Sequence, residues 1–114
     1  MADDIVYVNI EDGTKRVMNN IKLYIKLLIK FKDDPNMCGI EAALAEGDME
    51  KAQVSAHTVK GLTANLSLTE LYKQCLELES QIKARSLNPD QLGIVKGVYS
   101  KTIEEIEKVV ASHA

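Results

Sequence analysis

Apolar residues recur at helical spacing through most of the chain. Ile21, Tyr24, Ile25, Leu28 and Phe31 form one stripe, and Leu68, Leu71, Cys75, Leu78 and Ile82 form a second. Leu92, Val95, Tyr99, Ile103, Ile106 and Val110 form a third. Between the first two stripes lies a more polar segment, roughly Met49 to Asn65, whose apolar positions are mostly Ala, Val and Leu. The punctuation fits helices. Asn9, with Asp12 three residues on, predicts a first helix running to about Asn19, where paired asparagines weaken it. Asp33-Asp34-Pro35-Asn36 ends the helix built on Tyr24 and Phe31. A short helix is expected from about Cys38 to Glu46, stopped by Gly47, and Asp48 then caps the Met49–Asn65 helix. Ser67 with Glu70 reads as a capping box for the next one. Asn88-Pro89-Asp90-Gln91 starts the last helix with Pro at its first position. Only Ile5 to Ile10 alternates, and weakly. These elements predict an all-α fold, an up-and-down antiparallel four-helix bundle with short additional helices at its N-terminus.

The chain has 114 residues, and the expectation is one domain spanning 1–114. With no Trp and one Phe, its core has to be aliphatic. A net charge of -3 argues against nucleic acid as a partner. No apolar run exceeds four residues (Ile5 to Val8, Ala42 to Ala45), too short to span a bilayer, and the acidic start MADDIVYVNIEDG has no signal-length apolar segment. The expected location is the cytoplasm. Cys38 and Cys75 form no CxxC pair and read as small buried hydrophobes in a reducing compartment. The two histidines, His57 and His113, make no metal-ligand cluster, so no metal and no cofactor are expected.

Placed on a wheel at about 100° per residue, the Met49–Asn65 segment gathers Ala52, Ser55, Ala56, Val59, Leu62, Thr63 and Leu66 on one side. His57 falls about 160° from Val59, on the side predicted to face water. Its neighbours within two turns on that face are Gln53, Lys60, Gly61 and Ala64. A glycine inside a helix costs about 1 kcal/mol relative to Ala. Gly61 therefore has a use other than local stability: it removes bulk beside the imidazole, so that another protein can approach the ring. Lys60 supplies a positive charge suited to a phosphoryl group or an acidic pocket.

The segment Ala56-His57-Thr58-Val59-Lys60-Gly61 resembles the signature of histidine-containing phosphotransfer domains of bacterial phosphorelays. Gly47-Asp48 before it and Leu78-Glu79 after it extend the likeness, as does the preceding aromatic helix from Leu23-Tyr24 to Phe31. Leu62, where the family usually has a small residue, and Ser67, where it often has Gly, depart from the pattern away from the histidine face. The resemblance implies a phosphoryl carrier rather than an enzyme. His57 would be the covalent phosphoacceptor, taking the group from a receiver-domain phosphoaspartate and passing it to another receiver aspartate. Lys60 would give charge support, and Gln53, Gly61 and Ala64 would meet the partner. The implied partners are response-regulator receiver domains and a hybrid histidine kinase. Mg²⁺ is expected only in the receiver, and the carrier itself is expected to be a free-standing monomer. The chain has neither a P-loop nor a Gly-rich ATP loop, so no autokinase activity is expected. Lys15-Arg16 reads as a solvated helix face, with a docking role implied only by the family, and His113 reads as an inert tail residue.

Glu79 is the candidate orienter of the ring. In an antiparallel hairpin about Ser67, Glu79 stands at the level of His57, on the edge of its own apolar stripe. It has two readings: a surface pair with a lysine, or an acceptor for Nδ1 of His57 that leaves Nε2 as the nucleophile. Glu77 should point to water. The rival functions are a non-catalytic helical adaptor and a metal or haem bundle. Intact His57 and Lys60 argue against the first, and the lack of inward histidines or paired carboxylates argues against the second.

Overall fold

The computed structural model describes residues 5–113. Six helices are present among them: α1 (Ile10–Arg16), α2 (Ile21–Lys32), α3 (Asn36–Glu46), α4 (Met49–Asn65), α5 (Thr69–Lys83) and α6 (Gln91–Ser112). No strand occurs among the described residues, and Ile5 to Asn9 have no regular structure. Residues 1–4 and 114 of the expected domain lie outside this range.

Local chemistry sets most of the boundaries. The side chains of Asn9, Asn20 and Asp48 accept hydrogen bonds from the backbone N–H groups of Asp12, Leu23 and Lys51, at 3.1, 3.1 and 3.0 Å. Each satisfies a donor that has no partner inside its helix. Gly47 closes α3 at φ +75°, a left-handed conformation that suits glycine.

Consecutive helices α3 to α6 pack on one another in turn, and α2 packs on α6. With 22 residues, α6 is about 33 Å long and runs beside both α2 and α3. Tyr99 meets the ring of Phe31 at a centroid distance of 6.1 Å. The Lys96 ammonium lies 2.7 Å from Glu41 of α3, and Lys32 of α2 lies 3.4 Å from Glu107. The result is the four-helix bundle α3–α6 with α1 and α2 added at its N-terminal side. Ala52, Ala56 and Val59 are small enough to let α3 and α5 close on α4. The core they join includes Leu28, Ile40, Leu71, Leu78, Ile82, Val95 and Ile106, all buried.

Tertiary contacts override several local signals. The first helix stops at Arg16, because Met18 and Asn19 turn left-handed at φ 59° and 61°. Ser67 does not cap α5. It sits at φ 55°, its hydroxyl donates to the Asp12 carboxylate of α1, and Leu68 takes the N-cap position. Pro89 lies in a turn two residues ahead of α6 instead of at its first position, and the Asn88 carboxamide accepts from the Asp90 N–H. Cys38 is exposed; only Cys75 is a buried hydrophobe, its thiol pushed up to about 12 by burial. Leu62 is half-buried, not in the core. Thr102 is a core residue of α6 absent from the apolar stripe, its hydroxyl bonded to the Val98 carbonyl at 2.7 Å.

Candidate functional site

His57 projects from the middle of α4 with its side chain 68% exposed. Its neighbours Ala56 and Val59 are buried, so the helix presents the imidazole on the opposite side from its core contacts. Nδ1 lies 3.0 Å from Oε2 of Glu79 on α5. A carboxylate only accepts, so Nδ1 carries the hydrogen and Nε2 keeps its lone pair.

Glu79 is buried, 3% exposed, yet it lies just beneath the surface and is covered by cationic side chains. Oε1 lies 2.7 Å from the Lys60 ammonium, and Oε2 lies 3.6 Å from that of Lys83, one turn along α5. Burial pushes this carboxyl up. The hydrogen bonds from Lys60 and His57 and the charges of Lys60 and Lys83 outweigh that effect and leave it below the ordinary glutamate range. Glu79 therefore stays ionised at neutral pH. One carboxylate thus fixes the tautomer and orientation of the ring and holds Lys60 beside it. The two sequence readings of Glu79, lysine pairing and ring contact, coexist.

A shallow groove beside the ring is lined by Gln53, Val54, Thr58, Glu79 and Lys83. Val54 is exposed and apolar, and the Thr58 hydroxyl turns back to the Val54 carbonyl at 3.0 Å. Gly61 is exposed, and a methyl group added there would meet no atom within 4 Å. Gln53 and Ala64 lie on the same helix and are half-buried. Glu77 is exposed and accepts from Gln81. His113 lies at the C-terminal end of α6, its Nδ1 hydrogen-bonded to the Val109 carbonyl at 2.9 Å, far along the chain from this cluster. No cluster of metal-ligating side chains occurs among the described residues.

Lys83 and Val54 were not singled out by sequence reasoning. Lys83 had a usable signal, since it stands four residues after Glu79 on the same helix face. Val54 had a weaker one, an apolar residue on the side of α4 opposite its core stripe.

No helix of the described residues is long and apolar enough to cross a membrane. Comparison with curated proteins and with solved structures gave no match in either set. A family model does match. It spans residues 36–111, from the start of α3 almost to the end of α6, and so takes in His57, Lys60, Gly61, Glu79 and Lys83 while leaving α1 and α2 outside. Proteins of this family carry phosphoryl groups on histidine in two-component phosphorelays and meet receiver and kinase partners there. With the match covering more than half of the chain, on an all-helical bundle, the protein belongs to the Hpt domain family.

Proposed function

We propose that His57 is the phosphoacceptor of a relay carrier, loaded by one receiver-domain phosphoaspartate and unloaded onto another receiver aspartate. The observation that carries this reading is the contact between Nδ1 of His57 and the buried carboxylate of Glu79, which leaves Nε2 towards solvent. In the loading step the Nε2 lone pair attacks phosphorus. The bond from phosphorus to the aspartyl oxygen breaks, and the carboxylate leaves with the electron pair. The ring gains positive charge as the P–N bond forms, and Glu79, accepting from Nδ1–H, stabilises it. In unloading, an incoming carboxylate attacks phosphorus and the electron pair returns to Nε2. Both steps depend on positioning and charge balance. Lys60 is held by Glu79 and lies 21% exposed, so it supports the site mainly through that pairing. Lys83 is more exposed and lines the groove with His57, which suits it to the arriving phosphoryl charge. The divalent cation belongs to the receiver's own site in this reading, and the carrier binds no ATP. Gln53, Gly61 and Ala64 form part of the face against which the receiver closes.

The test is incubation with a receiver domain carrying radiolabelled phosphoaspartate. Label should move to the wild-type chain as acid-labile, base-stable phosphate, and none should move to His57→Gln. Transfer to that variant, or none to the wild type from any receiver of the same organism, would favour a helical adaptor without phosphotransfer.

A further inference from the structure

Charge is unevenly placed along this chain. From Gly13 to Lys32 there are six basic residues and no acidic one, while all 17 acidic residues and the other eight basic ones lie elsewhere. The net charge of -3 therefore hides a strongly basic segment, which folds as the end of α1 and the whole of α2. Helix α2 buries Tyr24, Leu28 and Phe31 against the core. Its exposed residues are Lys22, Leu23, Lys26, Ile29 and Lys30. At about 100° per residue, all five fall within about 120° on the side opposite the core. The three lysines run along the middle of this face, with Ile29 on one edge and Leu23 on the other. Lys15, Arg16 and Lys32 of the same segment are paired with Glu11, Asp12 and Glu107. No carboxylate of another described residue lies within 4 Å of Lys22, Lys26 or Lys30. The turn leading into α2 adds Met18, which is 91% exposed at a left-handed φ of 59°.

An unpaired lysine row edged by apolar side chains suits a partner that is both anionic and apolar. Nucleic acid supplies charge but no apolar phase, and the aromatic residues of α2 that could stack on bases, Tyr24 and Phe31, are buried. Protein interfaces favour Arg and aromatic side chains and are depleted of Lys, whereas the exposed basic residues of α2 are all Lys. An anionic bilayer surface meets both demands. Its headgroups attract the ammonium groups, and the acyl boundary beneath them takes the lysine stems, Leu23 and Ile29. We infer that the exposed face of α2, with Met18 at its N-terminal end, is a peripheral docking surface for an anionic membrane. The contact is reversible, each lysine contributing about fivefold to partitioning, and the acidic remainder of the chain confines it to this face. It leaves the histidine free. Leu27 and Phe31 of α2 line one groove with Leu62, and Leu62 lies about 140° from His57 around α4. Helix α2 thus packs on the side of α4 away from the ring, and its lysine row points further outward still. A chain lying on lipid through α2 keeps His57 open to water and to a partner protein.

The experiment is sedimentation of the full chain with vesicles of phosphatidylcholine, with and without phosphatidylglycerol. The wild type should partition onto the phosphatidylglycerol vesicles, lose that partitioning as salt rises, and ignore the neutral ones. Lys26→Gln/Lys30→Gln should cut partitioning about 20-fold, and Lys26→Glu/Lys30→Glu further. Leu23→Ser/Ile29→Ser should cut it about fivefold and keep the salt dependence. Lys101→Glu, on an exposed position of α6, is the control for charge change and should stay within about twofold. Far-UV circular dichroism checks the fold of each variant; the lysine pairs are exposed and should fold as wild type does. Loading by a receiver in solution should also be unchanged in the lysine pairs, because α2 packs away from His57. A wild type that ignores phosphatidylglycerol vesicles would overturn the membrane contact, and so would lysine pairs that bind them normally. A raised KM for the receiver in the lysine pairs, without vesicle binding by the wild type, would assign the row to an acidic protein instead.

Discussion

Two polar clusters flank α4, and they differ in what they leave unsatisfied. At the C-terminal end of the helix the hydrogen bonds run between elements of the fold. The Tyr24 hydroxyl donates to the Leu66 carbonyl at 2.6 Å, the Ser67 hydroxyl donates to Asp12, and the Asn9 N–H donates to the Ser67 carbonyl at 3.0 Å. Burial first, and Asp12 second, push the Tyr24 phenol up to about 12, so it remains a donor. In the middle of α4 the network of Glu79, Lys60, Lys83 and His57 is equally well connected through Nδ1 but stops at Nε2. The first cluster spends most of its hydrogen bonds on holding α1 and α2 against the α4–α5 turn. The second spends them on aiming one nucleophile outward. Comparable hydrogen bonds thus give a tie at one end and a reactive site at the other, the difference being one ring nitrogen left to solvent.

Substitutions break that contrast in order of size. His57→Gln should abolish phosphoryl acceptance while the thermal midpoint stays within a degree or two of wild type, since the ring is exposed; calorimetry and labelling check the two halves. Gly61→Arg comes next. Loading by a receiver should fall more than about tenfold, equivalent to about 1.4 kcal/mol, while stability holds or rises by up to about 1 kcal/mol. Normal transfer by this variant would defeat the clearance argument for Gly61.

The closed cluster should respond the opposite way. Tyr24→Phe leaves a buried carbonyl without its donor and should cost about 1–3 kcal/mol in denaturant unfolding, with phosphoramidate labelling unchanged. Gly13→Ala belongs with it, because a methyl group there would overlap the Tyr24 ring.

Glu79 touches both properties. Glu79→Gln should slow loading about fivefold, the equivalent of about 1 kcal/mol, and Glu77→Ala should do nothing. The carboxyl lies below its ordinary value in the folded chain, so its contribution to stability is present above the unfolded value of about 4.3 and is lost as pH falls through the lower folded value. The gap in thermal midpoint between wild type and Glu79→Gln should accordingly be widest near neutral pH and close in acid. A gap that widened in acid would contradict the ionised carboxylate. Lys83→Ala should be smallest, less than about fivefold in loading and within about 1 kcal/mol in stability.

The legible parts of this molecule are those whose signal is local. The stripes of α2 and α5, the caps at Asn9 and Asp48 and the stop at Gly47 depend on neighbours in sequence, and so does the outward placement of His57 on α4. The level of Glu79 also followed, because a hairpin about a short turn has a countable register. The misread features were set by distant residues. Ser67 has the right chemistry for a cap, but Asp12 of α1 takes its hydroxyl, a contact spanning 55 positions. Thr102 is polar by type, but its hydroxyl is satisfied by the Val98 carbonyl of its own helix, so packing from other helices buries it without an unpaired group. The i, i+4 spacing from Glu79 hints at Lys83, but its part in the site follows only once Glu79 is known to be buried. How α1 and α2 meet the end of α4 is set by contacts such as that of Tyr24 with the Leu66 carbonyl, which no periodicity encodes.

The central claim is that Nε2 of His57 accepts the phosphoryl group while Nδ1 stays bonded to Glu79. Two histidines make this measurable by long-range ¹H–¹⁵N spectra of ¹⁵N-histidine protein before and after phosphorylation, with His113 as an internal reference. The prediction is an Nδ1–H tautomer for His57 in the unphosphorylated chain, and a phosphorus coupling at its Nε2 with Nδ1–H retained afterwards. Phosphate on Nδ1, phosphate on His113, or an unmodified His57 in a phosphorylated sample would contradict it.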